Sequence, residues 1–185
     1  VTAVIELPSL EAAENLTREC GFGRCGVVLV GDGSGSGVDK PAGWACLLYD
    51  RRRSALEFYE GGCDKAGIGY AELAAYLVPL TRLTNGKSRG LLTVGLVTDA
   101  TYVVGTFQRE TAPDRNVPLW AFYRNLRSLG VVVTPAHRER NTDVCQVLVD
   151  VRSKACRRRF VDAGSPDEVA PCPNDSPTAA AGSSP

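Results

Sequence analysis

Residues 26–37 read GVVLVGDGSGSG, and the architecture of the chain can be worked out from this stretch. Its apolar, largely β-branched beginning predicts a buried strand over 26–30. Its glycine-rich continuation from Gly31 to Gly37 predicts a loop or tight turn. Asp32 is therefore expected where a buried strand ends, which is where side chains of an α/β sheet approach a ligand.

Apolar segments elsewhere in the chain predict the remaining strands. Residues 43–49 and 55–60 flank a polar, arginine-rich turn, which predicts a hairpin, so that the first strands form an antiparallel meander. Two later apolar runs, at 91–97 and 131–134, predict further strands. The first of these runs leads into Asp99, which therefore also stands at a strand end.

Helices are predicted from apolar spacing and from residues that favour helix ends. Ser9 is placed to cap the first helix and Asn141 to cap the last. Pro79 is expected to kink the second helix or to end it early. The predicted helices cover residues 9–20, 70–83, 100–109, 119–129 and 142–160.

The order of these elements predicts the fold class. Antiparallel strands followed by alternating strands and helices indicate an α/β domain with a mixed sheet of five strands, antiparallel and then parallel, and helices on both faces. We place this domain at residues 26–161. Residues 1–25 are interpreted as an N-terminal extension with a short helix, and the Pro-, Ser- and Ala-rich residues 162–185 as a disordered tail.

Composition restricts the classes of protein to consider. Lysine plus arginine and aspartate plus glutamate both total 21, so a strong nonspecific grip on nucleic acid is not expected. No apolar run reaches the roughly 20 residues of a membrane helix. The seven cysteines form no C-x-x-C pair and are interpreted as reduced, structural thiols. We expect a cytoplasmic monomer that does not bind membranes.

Asp32, Glu72 and Asp99 are the candidate functional residues. Two follow strands and Glu72 lies near the start of the second helix, so the three carboxylates are expected at one edge of the sheet. Repulsion between them favours a hard divalent cation, and two such ions support phosphodiester hydrolysis. Taken singly, each acid also has a structural explanation, as a turn residue, a solvated helix acid or a helix cap.

The motifs around these acids resemble those of the type 1 ribonuclease H family. Residues 28–34 (VLVGDGS) are similar to the family's first strand, and 70–75 (YAELAA) to its Ala-Glu-Leu helix start. Residues 96–104 (LVTDATYVV) are similar to its strand ending in Ser-Asp-Ser-x-Tyr-Val. The sequence PLW at 118–120 and the stretch 131–137 resemble a later helix start and the last strand with its histidine loop.

This resemblance implies a ribonuclease H-like fold and a function. The implied enzyme is an endonuclease that hydrolyses the RNA strand of RNA–DNA hybrids with two Mg²⁺ or Mn²⁺ ions, held by Asp32, Glu72 and Asp99. His137, on a mobile loop, would move protons or help the product leave. The residues implied to contact the substrate are Gly33, Ser34, Arg138, Arg140 and Asn141.

The fourth acid of the family is not found at its usual place. Four residues after Asn141 stands Cys145, and an alternative alignment places Gln146 there. Asp143, Gln146 and Asp150 share one face of the predicted helix. Asp143 is our choice as the fourth catalytic and metal-binding acid, because it lies nearest the histidine.

Two alternatives stay open at this stage. The segment 109–117 lacks a long basic protrusion that some family members carry, and residues 67–70 lack the family's asparagines. A catalytically weak or inactive ribonuclease H-fold module that binds nucleic acid or protein would explain these departures. A related exonuclease or recombinase nuclease fits less well.

Overall fold

The computed structural model describes residues 6–84, 90–109, 116–140 and 142–162. Asn141 and residues 163–185, which include nearly all of the predicted tail, lie outside the described residues. The elements in chain order are α1 (Leu10–Glu19), β1 (Val27–Ser34), β2 (Ala42–Asp50), β3 (Ala55–Cys63), α2 (Ile68–Thr84), β4 (Leu92–Thr98), α3 (Thr101–Gln108), α4 (Val117–Ser128), β5 (Val131–His137) and α5 (Val144–Asp162).

The strands form one mixed sheet, as predicted. Its order is β3-β2-β1-β4-β5. The β1–β2 and β2–β3 pairs are antiparallel, whereas β1–β4 and β4–β5 are parallel. The central position of β1 between an antiparallel and a parallel neighbour places its carboxyl end beside that of β4, so Asp32 and Asp99 lie at the same edge.

The prediction that the chain turns at Gly31 is wrong. β1 continues to Ser34, because Asp32 pairs with Ala45 and Ser34 pairs with Gly43 across the antiparallel ladder. That ladder satisfies the backbone groups of the glycine-rich stretch, which local sequence preference would leave in a loop. Asp32 therefore lies inside a paired strand, and its direction is fixed by the alternation of the strand.

Helices cover both faces of the sheet. α2, α3 and α4 pack on the face to which Val27 and Leu29 point, and α1 and α5 pack on the face of Val28 and Val30. Pro79 does not end α2, which continues to Thr84. Within the described residues, no helix has the length and apolar character needed to cross a membrane.

The N-terminal helix is part of the hydrophobic core. The Ser9 hydroxyl accepts a hydrogen bond from the Ala12 amide at 3.1 Å, so Ser9 caps α1 as predicted. Ala13 and Leu16 are buried in the same apolar cluster as Phe22 and residues of α5. The helix at residues 10–19 thus packs on the domain rather than extending away from it.

Candidate active site

Asp32 points to the α5 side of the sheet and is held there by a serine. Its side chain is only 7% exposed. Ser153 Oγ donates to Asp32 Oδ2 and also lies 3.0 Å from the backbone oxygen of Asp150. One turn of α5 therefore fixes one oxygen of the Asp32 carboxylate and leaves the other oxygen available.

Glu72 reaches the same edge because two glycines of β1 allow α2 to approach closely. A Cβ atom on Gly33 would lie 2.3 Å from the Glu72 backbone nitrogen. A Cβ atom on Gly31 would lie 2.8 Å from the ring of Tyr76. Gly33, predicted to contact the substrate, is thus required for packing between the strand and the first turn of α2.

Tyr76 joins the ends of β1 and β4 beneath the acids. Its hydroxyl lies 2.7 Å from the carbonyl oxygen of Gly31 and 2.8 Å from that of Val97. Backbone pairing between the two strands stops at Val30 and Val97, so the hydroxyl bonds at the point where the strands part. Tyr76 follows Glu72 by one helical turn. α2 therefore positions the Glu72 carboxylate and, through the Tyr76 hydroxyl, the ends of the two strands that lead to the other acids.

Asp99 follows β4 and is bound by Arg140. The Arg140 Nε atom lies 2.6 Å from Asp99 Oδ2. His137 Nε2 lies 3.0 Å from the Asp99 backbone oxygen. The prediction of His137 on a mobile loop is wrong, since His137 is the last residue of β5 and is paired with Thr98.

The Arg140 guanidinium also faces two buried carboxylates. It is 3.7 Å from Asp32 Oδ1 and 3.9 Å from Asp150 Oδ1. Asp150 is 7% exposed, and Lys154 Nζ binds its Oδ2 at 2.8 Å. Asp150 Oδ1 is buried without a hydrogen-bond partner among the described residues. Arg140 was predicted to contact the substrate, and in this structure it is surrounded by acids.

Asp143, our choice from the sequence, does not join these acids. Its Oδ1 caps α5 by accepting from the amides of Cys145 at 2.9 Å and Gln146 at 3.0 Å. In the amide orientation that satisfies its neighbours, Gln146 donates to Asp143 Oδ2 and to the Glu139 carbonyl. Asp150 lies about 10 Å further along the axis of α5 than Asp143. At the level of Asp150 the helix packs against Asp32, through Ser153.

The remaining predicted contacts are dispersed. Arg138 binds Glu19 of α1 at 2.7 Å and lies 4.0 Å from Asp143 Oδ2, and its contact with substrate stays a prediction. Ser34 is buried at the end of β1. Sequence reasoning missed Tyr76, Ser153 and Lys154; the spacing of Asp150, Ser153 and Lys154 along one helix was the signal available.

Solved structures share this architecture. The N-terminal RNase H domain of rv2228c from Mycobacterium tuberculosis, solved as a fusion with maltose-binding protein, superposes with a TM-score of 0.60 at 15% identity, covering 75% of this chain and 98% of that one. This chain has the ribonuclease H fold. No protein-family model matches the sequence, and no curated protein is significantly similar to it.

Two further structures with the ribonuclease H fold are similar. LC11-RNase H1, solved in complex with an RNA/DNA hybrid, gives a TM-score of 0.53 at 17% identity and covers 70% of this chain and 97% of that one. RNase H1 from the halophilic archaeon Halobacterium salinarum NRC-1 gives 0.50 at 20% identity, with coverage of 74% and 98%. Nearly the whole length of each structure is therefore matched by this chain.

Burial and, after it, electrostatic repulsion raise the pKa of two acids at this edge of the ribonuclease H fold. Burial, followed by the charges of Asp32 and Asp99, raises the pKa of Glu72 to about 7. Burial also raises the pKa of Asp32 to about 6, and the Ser153 hydrogen bond opposes that shift. Asp99 and Asp150 act in the same direction as burial on Asp32, whereas Arg140 opposes them.

The donor atoms at this edge suit a hard divalent cation, although the side chains are not arranged around one. Within the described ranges, no group of three or more histidine, cysteine, aspartate or glutamate side chains is gathered closely enough to hold a metal ion. The available ligands are carboxylate oxygens, which Mg²⁺ and Mn²⁺ prefer. The buried Asp150 Oδ1, which has no hydrogen-bond donor in the part of the chain that the structure describes, is the atom that most needs such a partner.

Proposed function

We propose that this protein is a divalent-metal-dependent endonuclease that hydrolyses the RNA strand of RNA–DNA hybrids. The observation that supports the proposal most is the approach of Asp32, Asp99 and Asp150 to one guanidinium, at the carboxyl ends of β1 and β4. Acids from three elements meet there on the ribonuclease H fold. Glu72 is close enough for its pKa to respond to two of them.

The proposed substrate follows from the fold and from RNA chemistry. LC11-RNase H1, which shares the fold, was solved bound to an RNA/DNA hybrid. Selection of the RNA strand would depend on contacts to 2′-hydroxyl groups across the shallow minor groove. We further propose that the protein acts as a monomer in the cytoplasm.

The acids and their neighbours have distinct proposed roles. Asp32, Glu72, Asp99 and Asp150 would hold two Mg²⁺ or Mn²⁺ ions, which supply an activated water and stabilise the leaving oxygen. Ser153 orients one oxygen of Asp32, and Lys154 orients one oxygen of Asp150. His137, exposed beside Asp99, would move a proton at the edge of the site.

Cleavage of a labelled hybrid tests the proposal. The protein, freed of metal and then supplied with Mn²⁺ or Mg²⁺, is incubated with a hybrid labelled on the RNA strand. We expect cuts within the RNA, loss of cleavage with a chelator, and no cutting of duplex DNA. An Asp32→Asn variant purified in the same way controls for contaminating nuclease. If the RNA stays intact with Mn²⁺ and also with Mg²⁺, the enzymatic function is rejected.

A noncatalytic binding module with the same fold is the second candidate. The ion pairs of Arg140 with the acids favour it, because an arginine already offsets part of the charge that a metal would neutralise. The balanced charge of the chain favours it too. Thermal unfolding at increasing Mn²⁺ separates the candidates, since an ion that binds only the folded state raises the melting temperature. No shift together with no cleavage would favour the module.

Asparagine substitution at Asp150 and at Asp143 should have different effects. We expect Asp150→Asn to lower hybrid cleavage roughly 10- to 100-fold, because it removes a charged oxygen from the proposed metal site. Asp143→Asn is the matched control, since asparagine caps a helix about as well as aspartate. Initial cleavage rates of the two variants, with the folded fraction checked by circular dichroism, measure the difference. A greater loss of cleavage with Asp143→Asn than with Asp150→Asn would instead support Asp143 as the fourth metal-binding acid, as predicted from the sequence.

A further inference from the structure

Arg140 lies where a cation between the acids would lie. Its guanidinium is 2.6 Å from Asp99, 3.7 Å from Asp32 and 3.9 Å from Asp150. These carboxylates come from β4, β1 and α5, which pack together only in the folded chain. One positive charge therefore faces three acids that are distant in sequence.

The guanidinium satisfies these acids unequally. Only the Asp99 contact is short enough for a hydrogen bond. The oxygen of Asp150 that faces Arg140 is buried and lacks a hydrogen-bond partner among the described residues. The other oxygens of Asp32 and Asp150 are already bound, to Ser153 and Lys154. One free oxygen on each acid is therefore turned toward a common position that a planar arginine does not fill well.

The arginine side chain has space to leave. It is 50% exposed and extends from the segment between β5 and α5 rather than from within either element. Asp32 and Asp150, in contrast, are fixed within a strand and a helix. The exchangeable partner in this cluster is therefore the guanidinium.

We propose that Arg140 is an internal counter-ion which holds the acids in the metal-free protein and which a divalent cation must displace. This inference rests on the proposed metal-dependent function. A guanidinium and a divalent cation cannot share one position, because like charges at that distance repel strongly. Arg140 thus stabilises the metal-free fold and weakens metal binding, a role different from the substrate contact predicted from the sequence.

Calorimetric titration with Mn²⁺ and melting of the metal-free protein test this exchange. We expect Arg140→Gln to bind Mn²⁺ roughly tenfold more tightly than the wild type, as typical coupling between competing sites gives. We expect its metal-free form to melt at a lower temperature. Arg140→Lys keeps the charge and should stay close to the wild type. Arg138→Gln removes a neighbouring arginine that binds Glu19, so it should leave Mn²⁺ affinity unchanged.

The outcomes separate this inference from the function on which it rests. Equal or weaker Mn²⁺ binding by Arg140→Gln, with clear binding by the wild type, would overturn the displacement and leave the metal-dependent function intact. Tighter Mn²⁺ binding by both Arg140→Gln and Arg138→Gln would also overturn the displacement, because the loss of any nearby positive charge would then explain the change in affinity. Failure of every variant and of the wild type to bind Mn²⁺ would reject both the displacement and the metal site.

Discussion

Asp32→Asn is expected to lower hybrid cleavage about a thousandfold and, at the same time, to stabilise the metal-free protein near pH 8. The activity falls because the proposed site loses a negative charge that helps to hold its ions, and each tenfold in rate corresponds to about 1.4 kcal/mol. The stability rises because Asp32 is a buried carboxylate beside two other acids. An amide of the same size removes that repulsion and still accepts the Ser153 hydrogen bond.

The pH dependence of stability gives an independent measure of this repulsion. In the folded metal-free protein the pKa of Asp32 is raised from 3.8 to about 6 and that of Glu72 from 4.5 to about 7. At these two carboxyls the folded state therefore binds protons more tightly than the unfolded state, and their contribution to stability falls as pH rises. We expect this contribution to be lost between about pH 4 and pH 7 in the wild type, and less of it to be lost in Asp32→Asn.

Urea unfolding of the metal-free protein across this pH range measures both effects. Asp39→Asn is the matched control, because Asp39 is exposed and its left-handed backbone suits asparagine. It should leave both cleavage and the pH dependence unchanged. An Asp32→Asn variant that cleaves like the wild type, or that shows the same pH dependence, would contradict this account of the site.

Tyr76→Ala is expected to cost about 3–5 kcal/mol of stability, the range for removal of a large buried ring. Tyr76 is completely buried, and its ring makes a T-shaped contact with the ring of Phe107. Tyr76→Phe keeps the ring but removes the hydroxyl from the carbonyls of Gly31 and Val97, which costs about 1–3 kcal/mol. We also expect weaker Mn²⁺ binding by Tyr76→Phe, because the strands that carry Asp32 and Asp99 lose a shared partner.

Equilibrium unfolding in urea and Mn²⁺ titration measure these two consequences. Tyr102→Phe is the control, since Tyr102 is partly exposed and its hydroxyl accepts from the Asn116 side chain, whereas the Tyr76 hydroxyl lies against strand carbonyl oxygens. Its expected cost is below about 1 kcal/mol. Wild-type stability and wild-type Mn²⁺ affinity in Tyr76→Phe would show that the hydroxyl does not hold the strand ends.

Much of the architecture could be predicted because the spacing of apolar residues along the chain indicates which faces of a strand or helix are buried. The run 27–30 and residues 94–97 of β4 are apolar and buried on both faces, which is typical of strands covered by helices on each side. The length of β1 could not be predicted in this way. Gly31 and Gly33 indicate a loop locally, but pairing with β2 and close packing against α2 give them an extended conformation.

The acid on α5 shows a second limit of sequence reasoning. Helical periodicity places Asp143 and Asp150 on one face, but it does not say which level along the helix meets β1. That level depends on tertiary packing: a Cβ atom on Gly43 of β2 would lie only 2.4 Å from the Ser153 carbonyl oxygen. Asp143 therefore satisfies the end of the helix, and Asp150 lies beside the acids of the sheet.

The contact between Gly31 and Tyr76 has a consequence for the divergence of related sequences. The missing side chain on the strand and the large ring on the helix occupy one volume, since a methyl group at position 31 would lie 2.8 Å from the ring. Neither position can change size alone without overlap or a void. In proteins that share an ancestor with this chain, the residues at these two positions should therefore change together. Where the helix carries a small residue in place of Tyr76, the strand should carry a larger residue in place of Gly31.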